Sequence, residues 1–532
     1  MGFWDKLLGL NKEQPTGIAT EEPRAYMSSY SISFDGEKNL GEMGPVKNYT
    51  VDYNMLRARS WQMFLDSEIC QLVFRRFATW VVGEGLKLKL EPNLDVLETE
   101  GIHLSEKEVK AFTNQSEMRF KVWSNDFMSD YADMTTFQKQ LEEIFLNAII
   151  GGDCLVIQRV INNTLKTQIV DGANICTPWG CSYSGTDYIS AEGNRIRHGV
   201  EIDAKGQHVA YHVKTSPFTW ERIKARNKFG NRTAFMVYGL KYRIGEVRGL
   251  PLISAVMETA SKMERYKEAT LGSAEEAAKM VFTIEHQAFS TGENPLGQQL
   301  AKIIKPTNNA NGENPIDING KQLADTVAAT TNKRAINMPQ GASLEAVESK
   351  KEVNFTPFYD GNAKYVFATV GIPPEVAMML YTSNFSSSRA AMKDWEHTLI
   401  VRRDDLSLQA IKPVFAYWLD IEVLTNKIVA PQYLKSIMDK NQMALSAYRF
   451  SRFVGANVPH IDPYKEVRAA REKLGALGKD LPLTTLEEAI EALGGGDVDS
   501  VLMYYAEELK KAKQLGLNEA AQKSETTVKE EA

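Results

Sequence analysis

The chain is poor in the residues on which most chemistry is built. Its 532 residues hold four cysteines, Cys70, Cys154, Cys176 and Cys181, with no CxxC pair. That excludes a disulfide-stapled framework and suits free thiols in a reducing compartment. Only Cys176 and Cys181 are close in sequence, and no histidine stands near them at zinc spacing, so two small, partly buried thiols is the better reading. No GxxxxGK[ST] phosphate loop occurs; the nearest string, Leu474 to Asp480, has its glycines too close and Asp480 where a hydroxyl is needed. GxSxG and HExxH are also missing. Positive charge is not in excess: 62 Lys+Arg stand against 68 Asp+Glu, a net charge of −6. A broad basic face gripping nucleic acid is therefore not expected, although DNA could still pass such a protein. Long hydrophobic runs are absent too. The most apolar stretch, Tyr365 to Tyr381, is interrupted by Gly371, Pro373 and Pro374, which excludes a membrane span there. Gly2 to Leu10 lacks a long apolar core and a small-residue cleavage site, and Lys6 stands where a myristoylation pattern wants Ser or Thr. The expectation is a soluble chain made in the cytoplasm.

What is present is globular. Hydrophobic residues make up 43% and charged residues 24%, with length for roughly two to four domains. Residues 1–50 read as a short amphipathic start, in which Phe3, Trp4, Leu7 and Leu8 form a sticky face for a neighbouring subunit, and then a Gly, Pro, Ser and Glu-rich arm. Apolar residues at threes and fours predict a helix from Asn54 to Val82, stopped by Gly83 and Gly85, with a strand over Leu86–Leu90. Further helices are predicted over 104–124 and from Thr135 to Ile150. Residues 153–247 turn to β, with strands at Cys154–Ile157 and Gln168–Val170 and a hairpin from Ile196 to Val213. His208 and His212 are four apart on one strand face but about 13 Å from each other, too far to share an ion. With His198 they read as ordinary strand residues.

Helix returns after Gly249-Leu250-Pro251, with Pro251 at the first helical position. Leu252, Val256, Ala260, Met263 and Tyr266 make one face, and the small residues Ala255, Ala269, Gly272 and Ala274 are interleaved. Glu285 to Val353 reads as a loop-rich β insertion, followed by a helix from Phe355 to Val370. Next comes the polar loop Tyr381-Thr382-Ser383-Asn384-Phe385-Ser386-Ser387-Ser388, with Ser387 or Ser388 as N-cap of a helix that starts near Arg389 and runs to about Leu424. Pro413 lies deep inside that helix and predicts a kink. Residues 427–455 read as a helical hairpin, and 456–517 as helices starting at Asp462-Pro463, at Thr484 or Thr485, and after Gly494-Gly495-Gly496. From Asn518 no core pattern remains and disorder is expected. Carboxylate pairs such as Asp404-Asp405 and Glu507-Glu508 fit solvated helix faces. No catalytic constellation, metal site or cofactor site emerges. A polar loop held between two helices is a mechanical arrangement.

Several blocks, in order, resemble the lambda-type portal proteins of tailed bacteriophages. They are Gly199-Val200-Glu201-Ile202-Asp203 with Gly206 and Val209-Ala210-Tyr211-His212-Val213; Tyr242 to Pro251, the helix-start motif; Asn384-Phe385-Ser386-Ser387-Ser388-Arg389-Ala390-Ala391; and Ile461 to Glu466 through Tyr505 to Glu508 and Gly516-Leu517. Glu246 stands where the family motif leads one to expect Gln. The blocks span roughly residues 50–517, and their succession is the specific signal.

The resemblance implies an α+β, predominantly helical portal fold that assembles as a ring. It implies an N-terminal arm over 1–50, a wing over 51–248, a first stem helix within 249–284 and a clip over 285–354. A second stem helix follows over 355–372, then a tunnel loop over 373–388, a kinked spine helix with remaining wing over 389–455, a crown over 456–517 and a tail over 518–532. The DNA-facing tunnel-loop residues would be Tyr381, Thr382, Ser383, Asn384, Phe385, Ser386, Ser387 and Arg389. Stem packing would use Val256, Ala260, Met263 and Tyr266. The family forms twelve-subunit rings at one capsid vertex, assembled in the host cytoplasm. Its partners are double-stranded DNA in the channel, the terminase large subunit, head-tail connector or adaptor proteins, and major capsid and scaffolding proteins, with no membrane and no enzymatic activity. Twelve helices of about 10 Å diameter side by side leave a bore of roughly 28 Å, against roughly 20 Å for duplex DNA. A charge of roughly −72 per ring would keep DNA off the wall. The alternatives are another virion structural protein, such as a capsid or neck component, and a DNA-processing enzyme, for which the chain offers no phosphate loop or acid cluster.

Overall fold

Three of the four long helices described before residue 152 start at a side chain that accepts one of their free N–H groups. The computed structural model describes residues 30–32, 49–183, 188–242, 244–284, 334–337, 355–380, 385–456, 463–475, 482–493 and 498–514. Two bodies separate: Met1–Ala255 with Phe367–Ala532, and Val256–Val366.

In the first body, β1 (Tyr30–Ile32) and β2 (Tyr49–Val51) form an antiparallel pair within and just after the expected arm. Helix α1 (Tyr53–Asp66) is capped by Asp52, whose carboxylate accepts the Met55 N–H at 3.0 Å. The sequence predicts one helix to Val82, but an extended Ser67 (φ −101°, ψ 121°) separates α1 from α2 (Glu68–Val81). The break lets each helix orient its own stripe: α1 buries Leu56, Arg57 and Ser60, while α2 buries an apolar run that includes Cys70, Val73, Phe74 and Phe77. Strand β3 (Lys87–Leu90) and the short helix α3 (Leu94–Thr99) follow. Helix α4 (Glu106–Ser124) starts with a Ser105–Glu108 capping box. Helix α5 (Phe137–Gly151) ends where Gly152 takes φ +98°.

The β region holds two sheets. Strand β4 (Asp153–Ile161) pairs antiparallel with β5 (Thr164–Asp171). Six short strands then form an antiparallel meander in chain order: β6 (Ser182–Tyr183), β7 (Tyr188–Ile189), β8 (Arg195–Arg197), β9 (Val200–Ile202), β10 (His208–Ser216) and β11 (Thr219–Lys224). Strand β12 (Ala234–Tyr238) returns to pair with the other edge of β4. The apolar run at Cys154–Ile157 is continuous because β4 is covered on both faces. Leu155 and Ile157 share a core with Val200, Ile202, Tyr211 and Val213 of the meander, and the Cys154 thiol lies 3.6 Å from the Ile144 carbonyl of α5.

The second body contains α6 (Met257–Lys279), β13 (Met280–Ile284), its parallel partner β14 (Arg334–Asn337) and most of α7 (Phe355–Val370). Helix α6 begins six residues after Pro251, where the sequence predicts it. The intervening backbone is already committed: Leu250 and Leu240 exchange both backbone hydrogen bonds, Leu252 N–H reaches Ile149 O and Ser254 N–H reaches Pro251 O. Of the expected insertion from Glu285 to Val353, only Arg334–Asn337 is among the described residues.

Back in the first body, Pro373-Pro374 starts a short helix, α8 (Pro374–Met378), inside the stretch read as loop. Helix α9 (Phe385–Leu406) begins at Phe385, so Ser387 and Ser388 lie within its first turn and are not its N-cap. A π-helical turn over Ser407–Ile411 joins α9 to α10 (Lys412–Leu424). Phe415 and Trp418 of α10 complete an aromatic core with Phe120, Trp123, Phe137 and Phe453. The expected helical hairpin at 427–455 is two short helices, α11 (Tyr433–Met438) and α12 (Gln442–Tyr448), plus a strand, β15 (Ser451–Val454), paired antiparallel with β3. Last come α13 (Pro463–Leu474), α14 (Leu486–Ala492) and α15 (Val498–Gln514), with Thr485 and Glu488 exchanging cap bonds. The architecture is helical with smaller sheets. No helix among the described residues is long and apolar enough to cross a membrane. The readings made of Phe3–Leu8 and of the tail after Asn518 lie outside the described residues.

Candidate functional site

The helix-start motif is built around a buried charge knot. Asp153, the first residue of β4, is fully buried beside Gly152. Its Oδ1 accepts from Arg57 Nη2 at 2.5 Å and Arg248 Nη2 at 2.7 Å; its Oδ2 accepts from Arg248 Nε at 2.7 Å and the Gly249 N–H at 2.9 Å. Arg248 also donates to the carbonyls of Ile175 (2.9 Å), His198 (3.0 Å) and Gly172 (2.6 Å). All five of its N–H groups are therefore used, which only a guanidinium can do. Burial opposes the charge on both members, but Arg248 and Arg57 hold the Asp153 carboxyl below its ordinary range, and Asp153 raises Arg248 in turn. Gly249 has to be glycine: a Cβ there would stand 2.0 Å from the Gly152 carbonyl oxygen. The motif residues Arg248 and Gly249 thus interlock with Gly152 and Asp153. Glu246, the departure from the family pattern, is itself buried and acts electrostatically on Lys241.

The residues assigned to stem packing lie on one face of α6 and the turn before it. Val256, Ala260 and Met263 are each buried. Tyr266 stacks on Phe355 of α7 (centroids 5.6 Å apart) and meets Phe358 edge-on at 4.9 Å, so it joins the two helices inside the second body. Of the small residues on the same stretch, Ala255, Ala269, Gly272 and Ala274 are exposed.

Of the residues assigned to the tunnel loop, Tyr381, Thr382, Ser383 and Asn384 lie outside the described residues, and Phe385, Ser386, Ser387 and Arg389 lie in the first turns of α9. Before them, α8 ends at Met379 in the left-handed region (φ 55°), with Met379 and Leu380 both exposed. Arg389 pairs with Glu466 of α13 at 2.8 Å and is half exposed, a geometry in which an ion pair contributes little to stability.

The expected kink takes the form of a π-turn. Lys412 N–H bonds Ser407 O, five residues back, and the widened turn accommodates Pro413, which has no N–H to give. The turn is fastened to the three-stranded sheet. Gln409 Oε1 accepts the Tyr238 N–H of β12 at 2.8 Å, and Gln158 of β4 donates to Pro413 O at 3.3 Å.

The histidines serve the β core. A bulge between His208 and Ala210 breaks the regular alternation, so His208 and His212 do not follow the simple face rule; His208 Nδ1 instead lies 3.0 Å from the Tyr211 hydroxyl. Burial lowers the pKa of His198 and His212 and takes His208 to about 4, with Lys241 and Arg232 adding to the His208 shift. His212 Nε2 lies 3.3 Å from Glu201, a fully buried carboxylate. Burial pushes Glu201 up, but hydrogen bonds from Arg222, Asn194 and Ser190 outweigh it and hold the pKa at about 2. Among the described residues no group of His, Cys, Asp and Glu could hold a metal ion.

Sequence reading missed Arg57, Asp153 and Gln409. An acidic residue directly after Gly151-Gly152, at the mouth of an apolar strand, was the available signal for Asp153; nothing local marks the other two.

The family model for phage portal proteins of the lambda family matches residues 37–403. The C-terminal blocks from Ile461 onward lie beyond that range. Among solved structures, the chain is similar to one in the neck of an empty gene transfer agent (GTA) particle computed with C6 symmetry, at 11% identity and a TM-score of 0.38 over 83% of this chain and 93% of that one. A chain in the virion of a native gene transfer agent particle is similar at 11% identity and a TM-score of 0.36, with the same coverage. Another, from the neck of a native GTA particle computed with C12 symmetry, is similar at 10% identity and a TM-score of 0.30 over 76% of this chain and 98% of that one. On the family match, which takes in more than half of its length, the chain belongs to the lambda family of phage portal proteins, structural and non-enzymatic components of the virion found at a capsid vertex.

Proposed function

We propose that this chain forms a twelve-subunit ring at one capsid vertex. The ring is the conduit through which double-stranded DNA is packaged and ejected. It is also the platform on which the terminase large subunit docks during packaging and head-tail connector proteins dock afterwards, with major capsid and scaffolding proteins around it during assembly in the host cytoplasm. The observation that carries this reading is the family match over residues 37–403, which runs unbroken through the succession of helix, insertion, helix, short helix and long spine helix. In this assignment residues 51–248 are the wing, 249–284 and 355–372 the stem, 285–354 the clip, 373–388 the tunnel loop and 389–455 the spine with the remaining wing. Residues 456–517 are the crown. Tyr381 to Asn384 form the part of the loop nearest DNA, and Phe385, Ser386, Ser387 and Arg389 carry it on the first turns of the spine helix.

Mass-resolved solution measurement of the purified chain, with electron-microscopy class averages viewed down the ring axis, tests the assembly. A closed ring is expected, and a strictly monomeric species under all assembly conditions refutes it. Deletion of Thr382–Asn384, which spares α9, tests the conduit separately. Rings form and packaging or DNA retention fails; normal packaging by that deletion removes the DNA-facing role while leaving the ring standing.

A further inference from the structure

The last described helix carries a face that its own chain leaves open. In α15, Val501 and Ala512 are half-buried, and every other residue from Leu502 to Lys513 is exposed. Large apolar side chains are among them: Leu502 is 47% exposed, Tyr504 61%, Tyr505 57% and Leu509 38%. Most of these are not scattered. Leu502, Tyr505 and Leu509, with Val498 and Ala512, recur at threes and fours and so form one stripe along the helix. A helix of 17 residues is marginal in water on propensity alone and takes its stability from packing such a stripe. Helix α14 lies beside α15 in the same chain, yet the stripe stays exposed.

The stripe has the spacing of a heptad seam, with Leu502 and Leu509 at a and Val498, Tyr505 and Ala512 at d. Glu508 then takes position g on one flank and Lys513 position e on the other, and both are exposed. Copies related by rotation about one ring axis set this helix beside itself, pointing the same way. In that parallel arrangement a g residue meets the e residue five positions on in the next helix. Glu508 therefore faces Lys513, and Val501 faces Ala506. Each helix offers an acidic flank to one neighbour and a basic flank to the other, so the seam repeats around a ring without a mismatched end. The exposed charge pair adds little affinity and acts mainly on register. We propose that the stripe of α15 is the contact surface for α15 of an adjacent copy of this chain, packed parallel and in register, with Glu508 of one copy against Lys513 of the next. This pairing rests on the ring reading for the identity and polarity of its partner.

The test uses two full-length variants, Glu508→Cys and Lys513→Cys, treated with a short bis-maleimide separately and after mixing before assembly. The wild-type chain, with its native cysteines, sets the background. Crosslinked dimer is expected in the mixture and not in either variant alone. A crosslink in Glu508→Cys alone, which an antiparallel pair gives, overturns the proposal, and so does a mixture at background level. A second variant, Leu502→Gln with Leu509→Gln, changes side chains exposed in the single chain and keeps helix propensity, so the subunit folds. Its association is expected to weaken about tenfold or more, and association as tight as wild type overturns the proposal. Closed rings without the mixed crosslink remove this seam and leave the conduit standing. The mixed crosslink in species that never close into rings keeps the helix pair and removes the ring; chains that do not associate at all remove both.

Discussion

Arg248 lies in one of the family-like blocks, and under the proposed function an arginine there invites assignment to phosphate. The structure puts it at 1% exposure with every N–H engaged inside one chain, so its replacement should cost stability and leave DNA affinity alone. Arg248→Met leaves Asp153 fully buried with only Arg57 Nη2 and the Gly249 N–H, and withdraws a donor from the carbonyls of Gly172, Ile175 and His198. Removing one partner of a buried ion pair costs about 3–5 kcal/mol. The lost carbonyl bonds bring the total to about 5 kcal/mol or more, comparable with the whole stability of a modest domain. Arg248→Lys keeps the charge but has three donors where five are used, so a loss of about 2–3 kcal/mol is expected. Urea unfolding followed by tryptophan fluorescence measures both. Hydrogen exchange at residues 172–176 and 198–200 locates the effect, because those segments are tied to the Arg248 guanidinium. Variants within about 0.5 kcal/mol of wild type would refute the reasoning, and a lowered salt dependence of DNA binding at unchanged stability would assign Arg248 to phosphate contact.

Two further predictions concern acid and one concerns the second body. His208 has a folded pKa near 4 against an unfolded value of about 6.5, so the unfolded chain takes up the proton first; its contribution is complete above about pH 6.5 and is lost as pH falls toward 4. Between pH 8 and pH 5 this amounts to about 2 kcal/mol, His198 and His212 act in the same direction, and His208→Gln should flatten that part of a midpoint-against-pH curve; a flat wild-type curve from pH 7 to 5 contradicts it. Glu201 titrates in a lower window: with its pKa held at about 2, its contribution is present above about pH 4.3 and lost from there downward, and Glu201→Gln removes this second phase while lowering His212 further, because the carboxylate that raises His212 is gone. In the second body, Tyr266→Ala deletes the stack on Phe355 and the edge contact with Phe358, at a cost of about 1–3 kcal/mol, seen as faster hydrogen exchange along Phe355–Val366; unchanged exchange there would mean the aromatic contacts do not hold the two helices.

The elements legible in the sequence were those whose signal is local. Helix α7 begins and ends as its periodicity and Gly371 indicate, α4 and α14 start at their capping residues, and Pro463 opens α13. Errors fell where partners distant in sequence decide. Pro251 is a good first helical residue, yet its neighbours' backbone groups are taken by Leu240 and Ile149, which delays α6 to Met257. Strand β15 was read as part of a helical hairpin because only pairing with β3, some 360 residues earlier, makes it a strand. The charge knot was invisible for the same reason: Arg57, Asp153 and Arg248 are each unremarkable in their own windows.

Pro413 shows how such distant ties recast a local rule. Proline inside a helix predicts a kink because it lacks one hydrogen bond and crowds the preceding turn. Here the turn widens to π geometry, and the groups around it are used by the sheet: Gln409 accepts the Tyr238 N–H of β12, and Gln158 of β4 donates to the Pro413 carbonyl. The same strand β4 begins with Asp153, which holds Arg248 and Gly249. One three-stranded sheet thus fixes both the π-turn between α9 and α10 and the segment that runs out to Pro251.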